Sequence, residues 1–154
     1  MKRFSNETEW LLRSAGWFEG RSVPHLVDYW QAKLESNDGF TLSPVARQVL
    51  SEFGGLHIMS KGAGLESARS DINLNPLLAE GEEDRFFTYF STLKGKQLFP
   101  LGEAHRGHTF AAIDSSGVVF LIMDQAYYVA ESFDTALESL LLGRRTVFLE
   151  EAGA

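Results

Sequence analysis

The spacing of apolar positions divides the chain into a helical opening, a middle stretch without a clear period, and a run of strands closed by one more helix. Asn6 followed by Glu9 resembles a capping box and opens a helix that carries Trp10 and Leu11 and stops near Gly16. Ser22 precedes a second helix with Val23, Leu26, Val27, Trp30 and Leu34 on one stripe, ended by the turn-forming Asn37-Asp38-Gly39. Ser43 and Pro44 suit the N-cap and first position of a third helix, whose buried side is Val45, Ala46, Val49, Leu50 and Phe53. Gly54 falls where a helix commonly ends in a left-handed residue, and Gly55 lets the backbone pass close to its neighbours before a strand over residues 56–59. A phosphate-binding glycine loop needs the reverse order, strand, glycines, helix N-terminus, so EFGGLHI reads as a joint between helix and sheet.

Residues 60–79 hold SKGAG, a second strand around residues 70–74, and Pro76. A fourth helix over residues 82–93 places Phe86, Tyr89, Phe90 and Leu93 at i, i+3, i+4 and i+7. From Gln97 the period changes to that of strands: QLFPL, HTFAAID, VVFLIMD and AYYVAE, with the turn DSSG at 114–117 joining the middle two. Short connections predict an antiparallel meander, and the unbroken apolar run of VVFLIMD predicts a central strand buried on both faces. Ser132 caps a last helix carrying Phe133, Ala136, Leu137, Leu140 and Leu141; Gly143 stops it, and Arg144 and Arg145 complement its negative end. The expected architecture is a single α+β domain over residues 1–154, a largely antiparallel sheet with flanking helices.

Composition narrows the classes. A 154-residue chain that is 44% hydrophobic, with 12 Phe, can build a core without staples. The lack of cysteine excludes disulfides, thiolate chemistry and Cys-bearing zinc sites, and suits a reducing, cytoplasmic compartment. MKRFSNETEW has no apolar segment after its basic residues, so no secretion signal is expected, and VVFLIM is too short to span a bilayer. With 14 basic against 21 acidic residues the formal charge is -7, which works against direct nucleic-acid binding and favours a basic protein partner.

Five junctions taken together are more specific than any one of them: GWFEGR at 16–21, LSEFGGL at 50–56, LFPLGE at 98–103, IDSSGVVF at 113–120 and SFDTALESLLLG at 132–143. In this order and at these separations the chain resembles the SUKH superfamily, specifically its third immunity subfamily, over most of its length except about 60–90 and the C-terminal tail. The resemblance implies a SUKH-like fold and a bacterial immunity protein. Such a protein is a stoichiometric, non-enzymatic inhibitor without a cofactor that blocks the cognate toxin of a polymorphic toxin system. Those toxins often end in nuclease or deaminase domains. The alternative is a regulatory or scaffolding module of the same fold that binds a cellular protein unrelated to toxins, with an uncharacterised enzyme third. The loop at 60–75 matches no motif, as a partner-specific surface or an idle loop would.

Candidate chemistry is sparse. His105 and His108 beside Glu103 have the residue types of a metal site, but histidines three apart suit a helix face better than the strand or turn expected here, and no fourth ligand is near. Ser91-Thr92-Leu93-Lys94 matches S-x-x-K without the S-D-N or K-T-G that accompany it. Ser115 and Ser116 beside Asp114 fit a tight turn, with no histidine assignable as their base. His57 is expected on the wetter face of its strand, and His25 in an exposed first helical turn. No catalytic or metal-ligating residue is therefore assigned. For partner binding, the acidic run Glu80, Glu82, Glu83 and Asp84 favours a helix N-terminus in its own right. With Asp71 it can also face a basic toxin where phosphate would lie. Trp17, Phe18, Tyr127 and Tyr128 are the aromatic anchor candidates, set against ordinary core packing.

Overall fold

Serine caps and apolar stripes place the helices in the structure, a computed structural model that describes residues 2–88 and 97–149. Helix α1 (Asn6–Ser14) starts one residue earlier than its pattern suggests, because Ser5 is the extended residue and its Oγ accepts the Thr8 amide at 3.2 Å. That shift turns Thr8 and Leu12 inward and leaves Trp10 exposed. Helix α2 (Pro24–Asp38) opens on Pro24 with no side-chain cap, buries Val27, Trp30 and Leu34, and ends at Gly39 with φ 74°. Helix α3 (Pro44–Phe53) has the expected cap, Ser43 Oγ accepting the Ala46 amide at 3.2 Å, and buries Ala46, Val49, Leu50 and Phe53.

The glycines after α3 form the expected joint with their roles exchanged. Gly54 is extended at φ -58°, and a Cβ there would lie 2.4 Å from the Leu50 carbonyl oxygen and 2.6 Å from the Trp30 ring. Gly55 supplies the left-handed turn at φ 86°. Periodicity marks where a helix stops; which of two adjacent glycines reverses the chain depends on the neighbour pressed against each.

Seven strands form one sheet in sequence order, antiparallel throughout: β1 (His57–Ile58), β2 (Ile72–Asn73), β3 (Leu98–Ala104), β4 (Thr109–Asp114), β5 (Val119–Ile122), β6 (Ala126–Ala130) and β7 (Val147–Phe148). The meander from β3 to β6 matches the alternation and turn pattern, whereas β7 has too short an apolar segment to be read as a strand. All four residues of β5 are buried, as two covered faces require. At 114–117 the chain reverses because Asp114 Oδ1 accepts the Ser116 and Val118 amides at 2.9 and 3.0 Å. Gly102 sits at the bulge of β3, where a Cβ would lie 1.8 Å from the Asn73 carbonyl oxygen; only glycine lets β2 pair there. A 3-10 helix (Pro76–Ala79) and the short α4 (Glu83–Phe87) follow β2. Phe86 is buried against Phe40 and Phe110; Tyr89, Phe90, Leu93 and the Ser91–Lys94 motif lie outside the described residues.

Helix α5 (Phe133–Leu142) is capped by Ser132 and ends at Gly143 with φ 76°. It packs on β6 and β2, α1 packs on α5, and α3 lies against β3. The rings of Phe4, Trp17, Phe53 and Phe133 join the N-terminal segment to α3 and α5, with Phe53 and Phe133 centroids 4.9 Å apart. Among the described residues no helix is long and apolar enough to cross a membrane.

Gly54→Ala forces a methyl group into the Leu50 carbonyl and Trp30, so it lowers unfolding free energy by about 1–3 kcal/mol in urea denaturation. An unchanged midpoint contradicts the close approach.

Candidate functional site

An α-helix leaves its last four carbonyls without intrahelical donors. On α5 the segment 60–70, which carries no periodic pattern, supplies donors to three of them, while the Gly143 and Arg144 amides serve the fourth, on Ser139. Ser60 Oγ donates to the Leu141 oxygen, the Leu65 amide to Leu142 at 2.9 Å, and the Ser70 amide to Leu140 at 2.8 Å. The Glu66 and Ser67 amides both reach the Gly143 oxygen, at 2.7 and 2.8 Å. Backbone meets backbone here: a Cβ on Gly64 would lie 2.6 Å from the Gly143 Cα, and one on Gly143 would lie 2.3 Å from the Ser67 oxygen. Glu66 Oε1 also accepts the Arg145 amide, and Arg69 pairs with Glu7 on α1. The loop is therefore the cap of α5.

The chain leaves this cap at Ser70 and Asp71, polar residues that are nonetheless buried. Ser70 Oγ accepts the His105 amide at 2.8 Å, and Asp71 Oδ1 accepts the Arg106 amide at 2.8 Å. Asp71 Oδ2 stands 2.6 Å from His57 Nε2, which projects from the edge strand β1. These bonds hold a turn in which His105 (φ 50°) and Arg106 (φ 56°) are both left-handed without being glycine. Such a conformation costs roughly 1–2 kcal/mol per residue, and the Ser70 and Asp71 acceptors offset it. Burial alone would raise the Asp71 pKa; the hydrogen bonds from His57 and the Arg106 amide outweigh it and hold the carboxyl below the usual carboxylate range. Burial and the nearby Asp71 charge push Glu103 up. Burial pushes the His105 imidazole down, against the opposing pull of Asp71.

One cleft beside this turn, of 390 Å³, lies between His57, Met59, Asp71, Glu103, Arg106 and Gly107; two more open toward segment 60–70. One, of 340 Å³, lies between Ser60, Lys61, Arg69, Asp71, His105 and Arg106; the other, of 270 Å³, lies between Ser67, His105, Ser139, Arg144, Arg145 and Thr146. His105 borders both. His105 and His108, with Glu103, do not assemble into a ligand set: among the described residues no group of three His, Asp or Glu is placed to hold a metal ion.

The residues considered for partner binding fall in different surroundings. Asp38 Oδ2 at the end of α2 accepts the Gly81 amide at 3.1 Å, which brings Asp38 beside the run Glu80, Glu82, Glu83 and Asp84. Arg85 offsets this acidic end through its pair with Glu82 at 2.9 Å. Asp71 does not join it, its carboxylate being taken by His57 and the Arg106 amide. Trp17 is buried, with Nε1 donating to Glu52 Oε2 at 3.0 Å, while neighbouring Phe18 is 53% exposed. Tyr127 and Tyr128 are half-buried on β6, with Tyr128 edge-on to Phe120. Three further exposed aromatics escape sequence reasoning: Trp10, because the cap shifts the phase of α1, and Tyr29 and Phe87, because the helical stripes do not single them out.

The family model described as SUKH-3 immunity protein matches residues 4–143. The chain matches no curated protein and no solved structure.

Because the Asp71 pKa is lower folded than unfolded, its carboxylate contributes stability that is present above about pH 4, its unfolded value, and is lost as pH falls through the folded value. Asp71→Asn should therefore lower stability by about 1–3 kcal/mol at neutral pH and flatten the acid limb of the stability profile. Equal acid limbs for wild type and variant in urea titrations contradict this account of the node.

Proposed function

Because the chain belongs to the SUKH-3 immunity protein family, we propose that it neutralises a cognate toxin by binding it non-covalently, one inhibitor to one toxin, with no chemistry of its own. The observation that supports a nucleic-acid-directed toxin is the acidic end of the molecule. There, among the described residues, Asp38 lies beside the run Glu80, Glu82, Glu83 and Asp84, with Arg85 paired to Glu82, on a chain of net charge -7. An enzyme that grips phosphate does so with Lys and Arg, and releases counterions to gain its affinity. A carboxylate surface can occupy the same groove.

Phe87, 44% exposed and one helical turn from Asp84, is the aromatic group placed to anchor that contact. It also leans on Phe40, with ring centroids 5.5 Å apart, so its position is set before binding. Phe18 offers a second exposed ring elsewhere, whereas Trp17 acts from within the core. A stable complex buries about 800 Å² per partner, which one face of a domain this size provides. The charges act chiefly on the rate of encounter and the aromatic group on the lifetime.

Two outcomes test this reading on the complex with the toxin. Reversing Glu80, Glu82, Glu83 and Asp84 to lysine slows association at least about tenfold at low salt, with protection in co-expressing cells reduced accordingly. Raising ionic strength from 0.1 to 1 M slows the wild type toward the variant, since the screening length falls from about 10 to 3 Å. Unchanged association and protection in the lysine variant remove the acidic end from the account. Phe87→Ala shortens the lifetime of the complex with little change in its association rate; an unaltered dissociation rate removes the anchor.

A further inference from the structure

Most cations among the described residues are already satisfied. Arg3, Arg13, Arg47, Arg69 and Arg85 each pair with a carboxylate, and Arg21 donates to the Glu52 and Gly54 carbonyls. Lys61, Arg106, Arg144 and Arg145 are exposed and have no carboxylate partner among the described residues. All four line the two clefts that meet at His105. Three nearby acids are engaged, Glu7 with Arg69, Glu66 with the Arg145 amide, and Asp71 with His57 and the Arg106 amide; half-buried Glu103 lines a neighbouring cleft on the His57 side of Arg106. An acidic protein thus concentrates unpartnered positive charge in a concave region built by the cap of α5 and the left-handed turn.

We propose that this double cleft binds a short acidic segment of a protein partner, through carboxylates reaching Lys61, Arg106, Arg144 and Arg145. The inference deepens the immunity reading and rests on it for the identity of the partner: the segment belongs to the toxin, and the toxin is gripped at a second place with the opposite sign of charge. Arginine's planar fork matches a carboxylate with two parallel hydrogen bonds. A phosphoryl group is the poorer fit, because backbone phosphate sites use free N–H groups in a turn, and those of His105 and Arg106 are spent on Ser70 and Asp71. A long nucleic acid is disfavoured too, since it would run beyond the clefts onto a body of net charge -7. What remains is a row of spaced side-chain cations across two adjoining hollows, the arrangement an extended acidic peptide can follow.

The first test needs no toxin. Labelled hexaglutamate is titrated into the isotopically labelled protein, with tripolyphosphate as the competing anion. The peptide is expected to move amide signals of residues 60–70, 105–108 and 143–146. Lys61→Ala/Arg144→Ala/Arg145→Ala, whose removed side chains make no hydrogen bonds among the described residues, is expected to bind it at least about tenfold more weakly with its spectrum otherwise preserved; Arg145→Glu alone checks the same site with one change. Signals that move elsewhere or not at all, equal affinity in the variants, or tripolyphosphate binding these residues more tightly than the peptide each overturn the proposal. The second test measures dissociation of the toxin complex, which the triple variant is expected to accelerate about tenfold; an unchanged rate overturns the toxin contact. A wild-type protein that binds hexaglutamate in the cleft and no toxin at all overturns the immunity reading while upholding the acidic-peptide site.

Discussion

The carbonyls at the end of α5 have to be bonded, and the structure around the clefts follows from how that is done. A helix ending in solvent could leave them to water. Here the end of α5 meets segment 60–70, and backbone packs on backbone at Gly64 and Gly143. Once the segment is fixed by Leu140, Leu141, Leu142 and Gly143, Ser70 and Asp71 are delivered to the edge of the sheet with their oxygens facing the 105–108 turn. The turn in turn holds two left-handed residues that would otherwise relax. Loop, helix end and turn therefore form one hydrogen-bonded unit, and the two clefts open where they meet.

The motifs that carry the family resemblance have physical work in common, and two of them interlock. In GWFEGR, Trp17 donates to the Glu52 carboxylate and Arg21 to the Glu52 and Gly54 carbonyls; all three acceptors lie in or beside LSEFGGL. Arg3 reaches the same Glu52 and also Asp134, so the N-terminal segment, α3 and α5 share one ionic node. Burial opposes the Glu52 charge, but the bonds from Arg3 and Trp17 prevail and keep its carboxyl below the ordinary range. LFPLGE needs Gly102 against Asn73, IDSSGVVF needs Asp114 for its reversal, and SFDTALESLLLG runs from its serine cap to its left-handed glycine. These motifs position a scaffold; binding falls to the surfaces between them.

What could be read from residues alone reflects how local each cause is. Caps and stripes act within a turn or two, so α3 and α5 are legible from Ser43 and Ser132 onward, and the meander is legible from its alternation. Ser5 displaced Asn6 as a cap because both are competent, and only the packing of Leu12 decides the phase. The strand β7 and the role of segment 60–70 were hidden because their partners are distant in sequence: Tyr127 and Tyr128 for the one, the carbonyls of α5 for the other. Asp71 looked like a member of an acidic surface and is a buried acceptor for the same reason. The grouping of Lys61, Arg106, Arg144 and Arg145 is a tertiary fact with no one-dimensional counterpart.

On this account the protein acts by occupying a partner, with an acidic end and a cationic cleft gripping separate parts of it. The direct test is to titrate the cognate toxin's activity with the purified protein and weigh both components afterwards by mass spectrometry. Activity should fall linearly to zero at a one-to-one ratio, and the toxin recovered from the complex should have unchanged mass and full activity. Inactivation of many toxin molecules by one inhibitor molecule, or a toxin recovered with altered mass, would contradict it.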